Sequence, residues 1–158
     1  MRITVRDEEG MNELGKAISG VLAEGDLLYL LGVLGAGKTT LVRGIAMGLG
    51  YAGKVNSPSF SIMNIYDNNP LIFHYDFYRL GACDIYDLGL EDYLERDGIA
   101  IIEWPQMGER FLPEEALRIN INLIDNDYEK GRIVEIHGRG GKYLQKIKEL
   151  ARNVDTCY

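Results

Sequence analysis

The sequence predicts an α/β fold over residues 1–158 as one domain, with a central mixed, mainly parallel sheet flanked by helices. Three observations predict it. Strand-like and helix-like segments alternate through the first half, the pattern that builds parallel sheets. Leu27-Leu28-Tyr29-Leu30-Leu31 is an unbroken apolar run, as expected of a strand buried on both faces. Beyond Leu117 the alternation gives way to consecutive strand-like segments, which makes the sheet mixed.

The elements follow in order. Met1 to Arg6 alternates apolar and polar residues like a short strand. Asn12 to Leu22 places Leu14, Ala17, Ile18, Val21 and Leu22 at helical spacing, and Gly25-Asp26 breaks that pattern. After the strand Leu27–Leu31 comes a glycine-rich turn. Thr39 to Leu49 then reads as a helix with Leu41, Ile45 and Leu49 on one face, ended by Gly50 or Gly53. Strand-like runs recur at Phe60 to Tyr66, Leu71 to Phe77 and Ile99 to Trp104, with a helical stretch at Ile85 to Leu94 between the last two. Leu117 to Ile124 and Arg132 to His137 form two further strands, a hairpin across the turn Asp125 to Gly131. Lys142 to Asn153 is the closing helix.

Composition narrows the function classes. No apolar run approaches the ~20 residues of a membrane helix. The amino terminus turns acidic at Asp7 without a signal-peptide core. Cys83 and Cys157 stand in no ligand-like spacing, which argues against a disulfide framework or a thiolate metal site. These features predict a cytoplasmic protein without membrane contact. The net charge of −7 opposes unassisted nucleic-acid binding, because phosphate contacts supply most of that affinity. The basic residues Arg139, Lys142, Lys146, Lys148 and Arg152 nevertheless cluster near the carboxyl terminus. They read as a solvated helix face or, alternatively, as a docking surface for RNA or an acidic partner.

The strongest motif is Gly32-Val33-Leu34-Gly35-Ala36-Gly37-Lys38-Thr39, a Walker A pattern between a buried strand and a helix. Its glycines let the backbone curl so that N–H groups point at phosphate oxygens. The amino terminus of the next helix adds positive potential. This assigns Gly32, Gly35, Ala36, Gly37, Lys38, Thr39 and Thr40 to the phosphates of a nucleotide. Lys38 serves as a mobile point charge on the outer phosphates, and the Thr39 hydroxyl serves magnesium. A second carboxylate is expected at the end of a neighbouring apolar strand. Glu103 fits, because four apolar residues lead to it and Pro105 stops the strand. The expected fold is thus P-loop NTPase-like.

Other residues read more plainly. Ser57-Pro58 is a turn entering a strand. Asp76 faces opposite to Tyr75 and Phe77 on a strand, where it can cap a helix, pair with Arg79 or do chemistry. Phe73, Tyr75, Phe77 and Tyr78 are core first. His74 and His137 have no partner at metal spacing and read as structural.

Gly35 to Gly44, Val55-Asn56-Ser57-Pro58-Ser59-Phe60, His74 to Leu80 and Ile102-Glu103-Trp104-Pro105 resemble, in order and spacing, the TsaE (YjeE) family, over about Leu27 to Pro113. The resemblance implies a bacterial ATPase that uses ATP and Mg2+. It implies work with partner proteins of the TsaB/TsaD type that install threonylcarbamoyl on an adenosine beside the tRNA anticodon, with tRNA met through that complex. It further implies switch-like roles near the γ-phosphate for Ser57, Ser59 and Asp76, with Asp76 and Glu103 as the catalytic pair and Glu103 and Thr39 serving magnesium. Two positions depart from the family pattern. Val33 stands where the family usually has Asp, and Ser59 replaces Thr while keeping the hydroxyl.

Two other readings compete. A small-molecule or nucleotide kinase needs an acceptor pocket and a lid, and Arg79, Arg96 and Arg110 are scattered. A non-catalytic ATP sensor would bind nucleotide only to change shape. No Asn-Lys-x-Asp segment supports guanine selectivity. No arginine stands evidently as a finger in P-loop context, which predicts slow turnover by the protein alone.

Overall fold

The computed structural model describes residues 1–80, 97–154 and 158. One seven-stranded sheet carries β1 (Arg2–Val5), β2 (Leu27–Leu31), β3 (Met63–Tyr66), β4 (Ile72–Asp76), β5 (Ile99–Glu103), β6 (Ala116–Leu123) and β7 (Arg132–Arg139). The spatial order is β1-β7-β6-β2-β5-β4-β3. The four central strands β6, β2, β5 and β4 run parallel, while β3 at one side and β7 and β1 at the other pair antiparallel. The sheet is therefore mixed with a parallel centre, the α/β architecture that the sequence predicts. The helical stretch expected at Ile85 to Leu94 lies outside the described residues.

Three helices complete the description: α1 (Glu8–Ser19), α2 (Lys38–Gly48) and α3 (Gly141–Asn153). Helix α1 begins four residues before the periodicity indicates. Asp7 caps it by accepting from the Gly10 amide at 2.9 Å, and Glu8 and Glu9 complement the dipole in the first turn. Strand β3 is shorter than expected because residues 58–62 form a turn. The Ile62 amide donates to the Pro58 carbonyl at 2.6 Å, Ile62 has φ of 67°, and Phe60 is 87% exposed.

Period-two alternation divides the core. Leu28, Leu30, Ile72, Ile99, Ile101, Leu117, Ile119 and Ile121 face the cluster built with Leu14, Ile18, Leu41 and Ile45 of α1 and α2. Leu27, Tyr29, Phe73, Tyr75, Phe77, Ala100 and Ile102 form a second cluster on the opposite face. Phe73, Tyr75 and Phe77 are thus core residues, as expected, whereas Tyr78 is 46% exposed.

Helices α1 and α2 touch backbone to backbone. A Cβ on Gly15 would stand 2.7 Å from the Leu41 carbonyl oxygen, and one on Gly44 would stand 2.3 Å from the Asn12 carbonyl oxygen. Only hydrogen at both positions permits that approach.

Helix α3 is locked to the α1–β2 turn. The buried Asp26 carboxylate meets Lys142 Nζ at 2.7 Å and Lys146 Nζ at 2.9 Å. Arg139 pairs with Glu114 at 3.0 Å. Three of the five clustered basic residues therefore have carboxylate partners within the chain, two of them, Arg139 and Lys142, from half-exposed positions. Among the described residues no helix is long and apolar enough to cross a membrane.

Candidate functional site

Strand β2 ends at Leu31 and α2 begins at Lys38, so the Walker A residues form the connection. Gly37 caps α2 with φ of 110° and contributes no side-chain cap, which leaves the first amides of the helix available to a ligand. A Cβ on Gly32, at φ of 148°, would stand 2.6 Å from the Ile121 carbonyl oxygen, so the loop can pass β6 only with glycine there. Ala36 is turned inward: its methyl is buried and its amide donates to the Val33 carbonyl at 3.1 Å.

Lys38 is buried at the start of α2. Its ammonium donates to the Gly32 carbonyl at 2.8 Å and the Val33 carbonyl at 3.0 Å, and it lies 4.1 Å from the Trp104 ring centre. Burial pushes this ammonium below the ordinary lysine range, and the Glu103 and Asp76 carboxylates act in the opposite direction. An incoming phosphate would give it a stronger, charge-assisted partner than two neutral carbonyls.

Glu103 ends β5 on the face that α2 covers, and it is 3% exposed. The Thr39 hydroxyl donates to Glu103 Oε1 at 2.9 Å, across 64 residues of sequence. The same Oε1 lies 2.9 Å from His74 Nε2. His74 Nδ1 lies 2.9 Å from the Tyr66 hydroxyl. Burial pushes the Tyr66 hydroxyl up, so it keeps its proton. The donors brought together by Thr39 and Glu103 are hard oxygens, the chemistry that magnesium takes, so these residues fit a magnesium-nucleotide group.

Asp76 ends β4 opposite Glu103 in the parallel register. Ser59 Oγ donates to Asp76 Oδ2 at 2.5 Å, Ser57 Oγ lies 3.3 Å from the same atom, and the Tyr78 amide donates to Oδ1 at 2.9 Å. The two serine hydroxyls are 2.6 Å apart. Asp76 accepts from the Tyr78 amide in a turn, with no helix starting there among the described residues, while Arg79 stacks on Phe60, 4.2 Å from its ring centre. A cavity of about 230 Å³ opens over Gly37, Lys38, Thr39, Ser59, Asp76 and Glu103.

A second cleft, of about 330 Å³, adjoins the outer side of the loop between the start of α1 and the β6–β7 turn. The turn is fastened to the loop. Tyr128 donates its hydroxyl to the Leu34 carbonyl at 3.0 Å, and Arg132 Nε donates to the Ala36 carbonyl at 3.1 Å. The guanidinium also reaches the Tyr128, Lys130 and Gly131 carbonyls.

The site unites Lys38, Thr39, Thr40, Ser57, Ser59, Asp76 and Glu103 around one cavity. His74 adjoins them through Glu103, a contact that leaves its structural reading standing. Its signal was available: on β4, His74 and Asp76 share parity, so they share a face.

A buried parallel centre, a glycine loop feeding α2 and a strand-end carboxylate on Thr39 define a P-loop NTPase-like protein. The family model described as "Threonylcarbamoyl adenosine biosynthesis protein TsaE" matches residues 5–133. A tRNA threonylcarbamoyladenosine biosynthesis protein TsaE from Bacillus subtilis (strain 168) is 37% identical over 151 residues, covering 95% of this chain and 92% of the relative. The TsaE of Streptomyces coelicolor is 39% identical over 140 residues, covering 84% and 93%. The crystal structure of Bacillus subtilis YdiB superposes with a TM-score of 0.83 at 32% identity, covering 96% of this chain and 94% of that one. The chain belongs to the TsaE family.

Proposed function

We propose that this chain is the P-loop ATPase of threonylcarbamoyl modification of tRNA adenosine, hydrolysing ATP with magnesium to regulate or reset a partner complex of the TsaB/TsaD type. Family membership supports the pathway. The observation that carries the chemistry is the Thr39–Glu103 bond at the open amino terminus of α2, with Lys38 beside it.

In this reading the cavity over Lys38 takes the phosphates, and the adjoining cleft behind Gly35 and Tyr128 takes the nucleoside. Lys38 leaves the loop carbonyls and meets the outer phosphates. The α2 amides hold phosphate oxygens from below. Thr39 and Glu103 together hold magnesium, which supplies neutralisation of developing charge on the transferred phosphoryl group. Asp76, held by Ser59 and the Tyr78 amide, stands across the cavity to orient the attacking water near the γ-phosphate. Ser57 and Ser59 report that phosphate by exchanging their bonds to Asp76 for bonds to it. The protein works in the cytoplasm, and a partner surface orders the 57–59 segment, so turnover is slow without it.

The test is ATP turnover by the protein alone, with TsaB- and TsaD-type partners, and with partners plus tRNA. The expected result is slow basal hydrolysis that rises with partners. Fast hydrolysis by the isolated protein, indifferent to partners, overturns the reading and favours a self-contained hydrolase or kinase.

A further inference from the structure

We propose that His74 is a positioning residue, which holds the Glu103 carboxylate in register with Thr39 and is itself held by Tyr66. The proposal rests on the reading of Thr39 and Glu103 as the magnesium pair.

Proton accounting on four side chains supports it. His74 lies fully buried on β4, where neither ring nitrogen has solvent to satisfy it. Both find partners: Nδ1 at the Tyr66 hydroxyl and Nε2 at Glu103 Oε1, each at 2.9 Å. Tyr66 has a single proton and two acceptors in reach, His74 Nδ1 at 2.9 Å and the Asn56 carbonyl at 3.1 Å. The Asn56 carbonyl has another donor, the Asn64 amide at 3.1 Å. A carboxylate oxygen only accepts, so the ring carries a proton on Nε2 and donates it to Glu103, which leaves Nδ1 to the Tyr66 hydroxyl. The opposite tautomer would set a bare ring nitrogen against a carboxylate oxygen. Glu103 thus makes His74 a donor at Nε2, and Tyr66 holds the ring by its other nitrogen.

The consequence for the carboxylate is geometric. Thr39 and His74 both donate to Oε1, from α2 and from β4, so two elements fix the rotation of one carboxyl group. Oε2 takes neither bond. Ligating carboxylates owe much of their metal affinity to such outer bonds, and their loss costs about 10–100-fold. The relay also begins beside the switch segment, since Asn56 precedes Ser57.

The experiment titrates Mn2+ into the complex with a non-hydrolysable ATP analogue and reads free Mn2+ by electron paramagnetic resonance. Analogue affinity in EDTA is measured in parallel by calorimetry. His74→Leu is expected to weaken Mn2+ binding about 10–100-fold while leaving the EDTA affinity unchanged. His74→Gln, whose amide nitrogen reaches the Nε2 position, restores Mn2+ binding. Tyr66→Phe falls between them, and it carries the test if His74→Leu does not fold. Wild-type Mn2+ affinity in His74→Leu, or in Tyr66→Phe where that variant stands alone, overturns the positioning role and leaves the ATPase reading intact. A Gln variant as weak as the Leu variant shows a packing effect and overturns it equally. Metal-independent analogue binding by the wild type overturns the magnesium reading and this proposal with it.

Discussion

Replacing Glu103 separates its two roles, because the carboxylate is both a buried acceptor and the proposed metal ligand. In Glu103→Ala the His74 Nε2–H loses its acceptor in a place closed to water, at about 1–3 kcal/mol. The Thr39 hydroxyl loses the same acceptor but is only partly buried, so it adds less. A total of about 2–4 kcal/mol results, and at about 2–4 °C per kcal/mol for a chain of this size the melting temperature falls by about 5–15 °C. Glu103→Gln keeps an acceptor of the same shape and loses only the charge assistance, at about 1 kcal/mol. The Gln variant should therefore melt within a few degrees of wild type and still lose magnesium-dependent hydrolysis. The assay pairs calorimetric melting of both variants with ATP turnover across a magnesium titration. Melting of Glu103→Ala within a degree of wild type refutes the network. Normal hydrolysis with normal magnesium dependence in Glu103→Gln refutes the metal role.

Three other substitutions test neighbouring parts of the site. Lys38→Ala should abolish most ATP binding in calorimetry while retaining the fold, since it removes a charge-assisted contact from a side chain whose hydrogen bonds go to two loop carbonyls; wild-type affinity would refute its phosphate role. Ser59→Ala and Asp76→Ala should spare ADP binding yet erase the extra protease protection that a non-hydrolysable ATP analogue confers over ADP. Protection equal to wild type would remove both from the switch. Gly44→Ala should lower the melting temperature by several degrees, because its methyl carbon would overlap the Asn12 carbonyl at 2.3 Å and overpacking costs about 1–3 kcal/mol. An unchanged melting point would show that the α1–α2 contact yields freely.

What the sequence discloses here depends on how local the cause is. The apolar run Leu27–Leu31, the glycine loop and the apolar lead into Glu103 each carry their structure in adjacent residues, and all three stand where the pattern places them. The start of α1 was misplaced because apolar periodicity begins inside the helix, while the capping bond of Asp7 defines its end. The serine–aspartate contact joins segments 17 residues apart across a turn, so only resemblance connected Ser59 with Asp76 beforehand. The contact of His74 with Glu103 has no signal in metal spacing. Strand parity placed it on the Asp76 face, but the partner Glu103 comes from a different strand 29 residues away. The hold of Tyr128 on Leu34 spans 94 residues and exists only because β6 lies beside β2.

The close seam between α1 and α2 decides which side of the two cavities is fixed. Its glycines leave the two helices no cushion of side chains on which to slide. Arg43 and Glu8 pin the same pair at its outer end at 2.6 Å. The start of α1 walls the cleft proposed for the nucleoside, and the start of α2 floors the cavity proposed for the phosphates. Both compartments therefore share one fixed jaw, and neither can widen on that side without the other. If the proposed switch responds to a third phosphate, its movement falls to the opposing jaw, where Phe60 and Tyr78 stand exposed beside Ser59 and Asp76. A partner that grips those rings would feel hydrolysis directly at its own surface, with no message having to cross the sheet.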